Sequence, residues 1–160
     1  MSDNQPANRL SATPQSDPGQ PSTADFLRVV TRTPFIERMG IEIVSATPER
    51  LVATMPVEGN TQPFGQLHGG ASCVLAETLG SVGAMMHATG TGKIAVGIDI
   101  NATHHRSASA GLVTATATAL SLGGSLASYE IVIVDDADRR ICTARLTCML
   151  RPAPPTNAPA

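Results

Sequence analysis

The stretch that decides the fold reads GGASCVLAETLGSVGAMMH and spans residues 69–87. Its larger apolar residues recur at spacings of three and four, which is the period of an α-helix; they are Ala71, Leu75, Leu79, Val82 and Met86. Most of the intervening positions carry Ala, Gly, Ser or Val, so neighbouring chain can pack closely on every side of this helix. The pattern predicts a central helix wrapped by a β-sheet.

The segments on both sides of this helix predict one further helix and six strands. The helix is expected from Phe26 towards Met39, divided at Pro34 and ended by Gly40. In the candidate strand 94–104, apolar residues occupy the even positions as far as Ala102, and polar residues occupy several of the odd positions. This alternation is typical of a half-buried strand. The strand candidates are 41–46, 51–57, 94–104, 112–120, 126–134 and 141–150. We therefore expect an α+β domain whose last four strands form an antiparallel meander around one helix.

Length and composition limit the classes of function. The chain has 160 residues, a net charge of −2, one Tyr, three Phe and no Trp. Such a chain offers neither a basic surface nor aromatic stacking platforms, so no nucleic-acid or anionic-membrane partner is expected. Residues 1–23 and 152–160 are rich in Pro and polar residues and are expected to be disordered. One folded domain is expected between them, over residues 24–151.

No targeting or membrane segment is expected. The N-terminal MSDNQPANRL lacks the basic and apolar regions of a signal peptide. The nearly uncharged run 69–92 contains Glu77 and six glycines, which are unsuited to a lipid-facing helix. The three cysteines form no CxxC pair, and Cys142 and Cys148 lie in an apolar run where small buried side chains are expected. The expected compartment is the reducing cytoplasm.

Glu77 is the first candidate for chemistry. It is the only formally charged residue between Glu58 and Lys93. Burial of an unpaired carboxylate is costly, so Glu77 either has a partner, belongs to a site, or lies on a solvated stripe of the helix. Spacing alone does not distinguish these alternatives. Ser81 follows one turn later on the same face, where it can hydrogen-bond the carboxylate or a water molecule.

The start of the helix is the second candidate. His68-Gly69-Gly70 opens it, and the first N–H groups of a helix have no intrahelical acceptor, which suits them to an oxyanion. Alternatively, such glycines form a turn and bind no ligand. Gly69 and Glu77 are eight residues apart, about 12 Å along one helix, too far to hold one carbonyl between them. If both act in catalysis, the two groups must come from different copies of the chain, and the enzyme is at least a dimer.

The histidines give weaker signals. His104 continues the even face of its strand and is expected to point inward, either as a core histidine or as a substrate contact. His105 and Arg106 are expected to face outward, where they are solvated or meet phosphates. The four histidines and Glu77 show no ligand spacing for a metal, and neither a metal nor an organic cofactor is expected.

A resemblance to a known family covers roughly residues 35–150. The segments QPFGQLHGG at 62–70 and LAETLGS at 75–81 resemble the hotdog-fold thioesterases of the phenylacetate-pathway type. NATHHR at 101–106, with Val96-Gly97 before it, is similar to the proofreading thioesterases of enterobactin biosynthesis. The resemblance implies a hotdog fold, a curved antiparallel sheet around one long helix. It also implies hydrolysis of an acyl-CoA or acyl-carrier-protein thioester, with an aromatic or medium-chain acyl group expected.

The resemblance also implies roles for individual residues. Glu77 would be the nucleophile or the general base, the Gly69 amide would form the oxyanion hole, and Gln62 would polarise the carbonyl. His68 would help to order the site, and Ser81 would orient water or the carboxylate. Further residues are expected to contact the substrate; they are Thr78, Gly70, His104, His105 and Arg106.

The expected assembly is a homodimer, or a tetramer built as a dimer of dimers, with active sites at the subunit interface. Two other functions remain open for the same fold. One is a hotdog hydratase or dehydratase, which would need a different arrangement of His and acidic residues. The other is a non-catalytic module that binds acyl-CoA, which the intact set of Gln62, Gly69, Glu77 and Ser81 disfavours.

Overall fold

A computed structural model describes residues 27–28 and 33–153. The predicted N-terminal extension, residues 154–160 of the predicted tail and most of the first half of the predicted N-terminal helix lie outside these residues. Leu27 and Arg28 are helical, and a second piece of helix, α1 (Pro34–Met39), starts at Pro34. Proline is favoured at the first helical position, since its missing N–H would have no partner there. Gly40 ends α1 with a φ of 67°, a conformation that glycine adopts without a steric penalty.

The remaining elements lie within two residues of their predicted bounds. Pro152, which its composition assigns to the C-terminal tail, is instead the last residue of a strand. The elements are helix α2 (Gly69–Thr89) and strands β1 (Glu42–Ala46), β2 (Arg50–Pro56), β3 (Lys93–His104), β4 (Leu112–Leu122), β5 (Leu126–Asp135) and β6 (Arg140–Pro152).

The six strands form one antiparallel sheet in the order β1-β2-β4-β5-β6-β3. The prediction of a four-strand meander is therefore wrong, because only β4, β5 and β6 follow one another. Strand β3 pairs with β6 and lies at the edge of the sheet. Alternation along a strand reports which of its faces is buried, and it carries no information on which strand is its neighbour.

A bulge in β3 also changes the predicted facing of its side chains. The pairing with β6 shifts between Gly97 and Asp99, and an extra residue at a bulge moves the following side chains to the other face. Ala95 packs on the core before the shift, and Ile100 and Ala102 do so after it. The even-face prediction therefore holds only after the bulge; Val96 and Ile98 are 39% and 52% exposed.

Helix α2 packs against the concave face of the sheet through positions that lack a side chain. An added Cβ at Gly83 would lie 2.7 Å from Leu51 Cδ1 and 2.8 Å from the Tyr129 hydroxyl oxygen. The Tyr129 hydroxyl is held in place, since it donates to the Pro48 carbonyl at 2.7 Å. Helix and sheet can approach this closely only because glycine occupies the contact. A curved antiparallel sheet around one long helix is the hotdog fold.

Candidate active site

The loop before α2 holds the start of the helix in place. Asn60 is buried, and its side-chain amide donates to the carbonyls of Met39 at 2.8 Å and Pro56 at 2.9 Å. The Asn60 carbonyl accepts the backbone N–H of His68 at 2.9 Å. These bonds connect α1, β2 and the residue that precedes α2, so the position of the helix start is set by the fold and not by the loop alone.

His68 caps α2 and leaves one N–H available. Its Nδ1 accepts the Gly70 N–H at 2.9 Å, and its carbonyl accepts the Ala71 N–H at 2.9 Å. The Gly69 N–H makes no hydrogen bond within residues 33–153. It lies at the positive end of the helix dipole, where a negative oxygen is stabilised. The N–H of Gly69 is thus available to an oxygen atom, whereas the N–H of Gly70 is already bonded to His68.

Gln62 lies beside this helix start. Its Oε1 accepts the Phe64 N–H at 2.9 Å, within a loop that turns at Gly65 with a φ of 75°. With its oxygen engaged, the side chain has its NH₂ group available to donate to a carbonyl. Gln62 and Gly69 line the same cavity, of about 430 Å³.

His104 packs against the same helix start. An added Cβ at Gly69 would lie 2.9 Å from His104 Nε2, so a side chain at position 69 would have to displace the imidazole. His104 therefore points inward towards α2 as predicted, although its side chain is exposed in the single chain. His105 and Arg106 also line this cavity. His105 Nε2 lies 2.9 Å from Thr143 Oγ1, on the outer face of the sheet.

Glu77 lies in a different cavity, a groove of about 370 Å³ between α1 and α2. Thr78 and Ser81 line it with Glu77, and their positions on α2 put all three on one face of the helix. The rest of the wall is mostly apolar and includes Phe35, Ile36, Val74, Val82 and Met85. Glu77 itself is exposed in the single chain. The groove therefore presents a carboxylate and two hydroxyls beside an apolar surface, an arrangement suited to an acyl chain with a polar head.

The predicted site residues thus divide into two groups that share no cavity. Gln62, Gly69 and His104 belong to the cavity at the start of α2, while Glu77 and Ser81 line the groove further along it. The chemistry of acyl transfer needs an oxyanion donor and a base or nucleophile around one carbonyl. One chain contains both kinds of group, but it does not bring them together.

Two residues near Glu77, Gly97 and Cys148, were not predicted as site residues. An added Cβ at Gly97 would lie 3.7 Å from Glu77 Oε1, and Gly97 pairs with Cys148 across β3 and β6. Burial raises the pKa of the Cys148 thiol, the Ser81 hydroxyl partly offsets that rise, and the negative charge of Glu77 adds to it. The sequence predicts that Cys148 is a small buried side chain, and the structure confirms that it is buried. Only the register of β3 on β6 reveals that it lies beside the site.

Two further features concern metals and membranes. Within the described ranges, no three residues among His, Cys, Asp and Glu are grouped as metal ligands would be. In the same part of the chain, no helix has both the length and the hydropathy of a transmembrane segment.

Comparisons with known proteins identify the class. The thioesterase superfamily model matches residues 64–142, which include the helix start and Glu77. A proofreading thioesterase from Cronobacter turicensis is 44% identical over 126 residues, covering 78% of this chain and 91% of that protein. The chain belongs to the thioesterase superfamily, a family of thioester hydrolases with the hotdog fold.

Solved structures agree with this assignment. A thioesterase from Haemophilus influenzae has a TM-score of 0.76 at 34% identity, covering 87% of this chain and 96% of that one. The PaaI protein of the phenylacetic acid degradation operon of Escherichia coli has a TM-score of 0.68 at 24% identity, covering 76% and 87%. The second similarity concerns the fold alone.

Proposed function

We propose that the protein hydrolyses the thioester of an aromatic or medium-chain acyl group carried by CoA or by an acyl carrier protein. The observation that carries the proposal is that one chain has both a carboxylate in an apolar groove and, at a helix start, an N–H that makes no hydrogen bond within residues 33–153. Glu77 supplies the carboxylate and Gly69 the N–H. The groove of about 370 Å³ receives the acyl group, and His105 and Arg106 line the other cavity, where they would meet the phosphates of a carrier.

The active site is proposed to form between two copies of the chain. Strand β3 has 12 residues, pairs only with β6 among the described strands, and exposes Val96 and Ile98. A long apolar edge strand is a template for pairing with another chain. Antiparallel pairing of two β3 strands would continue the sheet across a two-fold axis and cover this edge.

The positions of the two groups along β3 support this assembly. Glu77 lies next to Gly97, and Gly69 lies next to His104. If the two-fold axis passes between Ile100 and Asn101, residue 97 of one protomer stands opposite residue 104 of its partner. Paired residues of an antiparallel ladder are about 5 Å apart, so each Glu77 would face the helix start of the other protomer.

The proposed chemistry follows from this arrangement. The Gly69 N–H and the Gln62 amide hold the thioester oxygen and stabilise the negative charge that develops on it. Glu77 either attacks the carbonyl carbon, forming an anhydride that water opens, or removes a proton from the attacking water. In both routes a C–O bond forms, the C–S bond breaks, and the departing thiolate takes a proton. Ser81 orients the water or the carboxylate.

Glu77→Gln tests this proposal, because the amide keeps the shape of the side chain and removes its basicity. Turnover of an acyl-CoA panel, followed by release of the free thiol, should fall at least ~10²-fold with little change in KM. Glu58→Gln, at an exposed glutamate outside both cavities, should keep normal turnover. Near-normal turnover by Glu77→Gln would exclude the proposed role. Tight binding of every acyl-CoA without thiol release by the native protein would favour a binding module.

A further inference from the structure

Ser72 is a buried polar residue of helix α2 whose hydroxyl has no partner. The buried polar residues of the described ranges are Asn60, Ser72 and Asp135. Asn60 donates to two carbonyls, and Asp135 accepts from Arg139. Only 2% of Ser72 is exposed, and its hydroxyl makes no hydrogen bond with any residue that the structure describes. Burial of a hydroxyl without a partner is costly, so its presence here indicates a bound ligand or water molecule.

The Ser72 hydroxyl opens into the cavity at the start of α2. Ser72 lines this cavity of about 430 Å³ together with Gln62 and Gly69. Among the described side chains, none has an oxygen or nitrogen that is both sealed from solvent and without a hydrogen bond. Because the Ser72 oxygen has no hydrogen bond, it must reach the surface, and the surface that Ser72 reaches is the wall of this cavity.

The geometry of a helix directs this hydroxyl towards Gly69. Each Cα–Cβ bond tilts towards the N-terminus of its helix, so a side chain covers the turn before its own position. Ser72 follows Gly69 by three residues, and residues at this spacing lie on one face of a helix, about 5–6 Å apart. Gly69 has no side chain that would separate them. The Ser72 hydroxyl therefore stands beside the backbone of Gly69, whose N–H is also available.

The cavity around this helix start offers hydrogen-bond donors and lacks carboxylates. Gly69 contributes its N–H, and Gln62 contributes its NH₂ group, because Gln62 Oε1 already accepts from Phe64. Arg106 adds a positive charge to the wall. Neither Asp nor Glu occurs among the described residues that line the cavity. In such surroundings a hydroxyl serves as a donor to an oxygen that becomes negative.

We propose that Ser72 is a catalytic residue of this site: its hydroxyl is a third donor to the thioester oxygen, beside the Gly69 N–H and the Gln62 amide. This role rests on the proposed function, which places that oxygen at the helix start. As the tetrahedral intermediate forms, negative charge collects on the oxygen and the hydrogen bonds to it strengthen. When the C–S bond breaks, the C=O bond forms again and the charge leaves with the thiolate. Ser72 keeps its proton throughout.

Ser72→Ala tests this role, because it removes the hydroxyl and little else. In the thiol-release assay kcat should fall about 10- to 100-fold with KM little changed, since the lost donor acts mainly in the transition state. The melting temperature should stay the same or rise, because alanine is the better helix former and no hydrogen bond of the Ser72 side chain to a described residue is lost. Normal kcat with a lower melting temperature would show that Ser72 is structural.

Ser107→Ala is the matched control. Ser107 lines the same cavity but is exposed, so its hydroxyl is hydrated without a ligand. The same chemical change should therefore leave kcat and the melting temperature at their native values. An equal loss of kcat in both variants would mean that the loss is not specific to the buried hydroxyl, and would refute the role of Ser72.

Two substrate analogues separate contact with the carbonyl oxygen from contact with the carrier. A thioether analogue of the acyl-CoA lacks this oxygen, so Ser72→Ala should bind it as tightly as the native protein does. A trifluoromethyl ketone analogue is hydrated to a tetrahedral centre that bears the oxygen, and its inhibition constant should rise by about the factor by which kcat falls. Equal weakening of both analogues would place Ser72 against the carrier and refute the donor role.

The outcomes separate this inference from the function on which it rests. If Glu77→Gln is inactive while Ser72→Ala keeps native kcat, the role of Ser72 is wrong and the proposed function stands. If Ser72→Ala loses activity but binds the trifluoromethyl ketone as the native protein does, the donor role is also wrong. If Glu77→Gln itself keeps its turnover, the proposed function and this inference fail together.

Discussion

Mixed dimers give the sharpest test of an active site shared between subunits. Gln62 and Glu77 lie in separate cavities of one chain, so a variant of each should damage a different half of every site. Gln62→Ala removes a donor to the carbonyl, a loss of about 10²–10³-fold for such groups. It is preferable to a change at Gly69, where an added Cβ would stand 2.9 Å from His104 Nε2 and would displace the imidazole. Glu77→Gln removes the carboxylate and leaves the helix start intact.

The expected recovery follows from the two-fold symmetry. Random exchange of equal amounts gives about half mixed dimers, and each mixed dimer has one site with both defects and one with neither. Half of the sites in half of the dimers are then intact, so activity should rise to about one quarter of the native value. Each variant alone should stay near or below about 1%.

The assay follows release of the free thiol after the two variants are mixed, unfolded and refolded together. Differently tagged subunits and native mass spectrometry would verify that mixed dimers have formed. A cis control carries both substitutions in one chain; mixed with either single variant, it produces no intact site and should show no recovery. If verified mixed dimers are no more active than the mean of their parents, the two groups do not meet across an interface.

Two predictions concern stability. Gly83→Ala overpacks the contact of α2 with the sheet and should lower the free energy of unfolding by about 1–3 kcal/mol in urea titrations, whereas Gly90→Ala, whose added Cβ meets nothing closer than 3.9 Å, should not. Hydrogen bonds from Arg139 hold the pKa of Asp135 below its usual value, so this pair stabilises the fold above the pKa of the unfolded chain and loses that effect as pH falls through the folded pKa. Asp135→Asn should therefore lower the free energy of unfolding at neutral pH, and this free energy should fall less on acidification than that of the native protein. Asp138→Asn is the control, since Asn tolerates the φ of 55° at that position. Equal acid sensitivity of Asp135→Asn and the native protein would contradict the role of this pair.

Much of the fold was predictable because it depends on local patterns. The three- and four-residue spacing of Leu75, Leu79 and Val82 predicted α2, and the turn residues predicted the ends of the strands to within two residues. The motif around His68 and Gly69 predicted the helix start, where the first N–H groups have no intrahelical acceptor, since the geometry of a helix terminus follows from the chain around it.

The neighbours of each strand were not predictable in the same way. The place of β3 at the edge of the sheet and its bulge at Gly97 depend on contacts with β6, which is far away in the sequence. Alternation therefore failed for Val96 and Ile98, where the bulge shifts the register. Cys148 was read correctly as buried, but its position beside Ser81 follows only from that register.

The sequence by itself determined the elements, the capped start of α2 and the spacing of about 12 Å that separates Gly69 from Glu77. These properties follow from neighbours a few residues apart and from the fixed rise of a helix. The tertiary structure alone decided that the two groups open into different cavities, that β3 lies at the edge of the sheet formed by the described strands, and that Gly97 adjoins the carboxylate. Such proximities arise when distant segments pack on one another, and no local pattern encodes them.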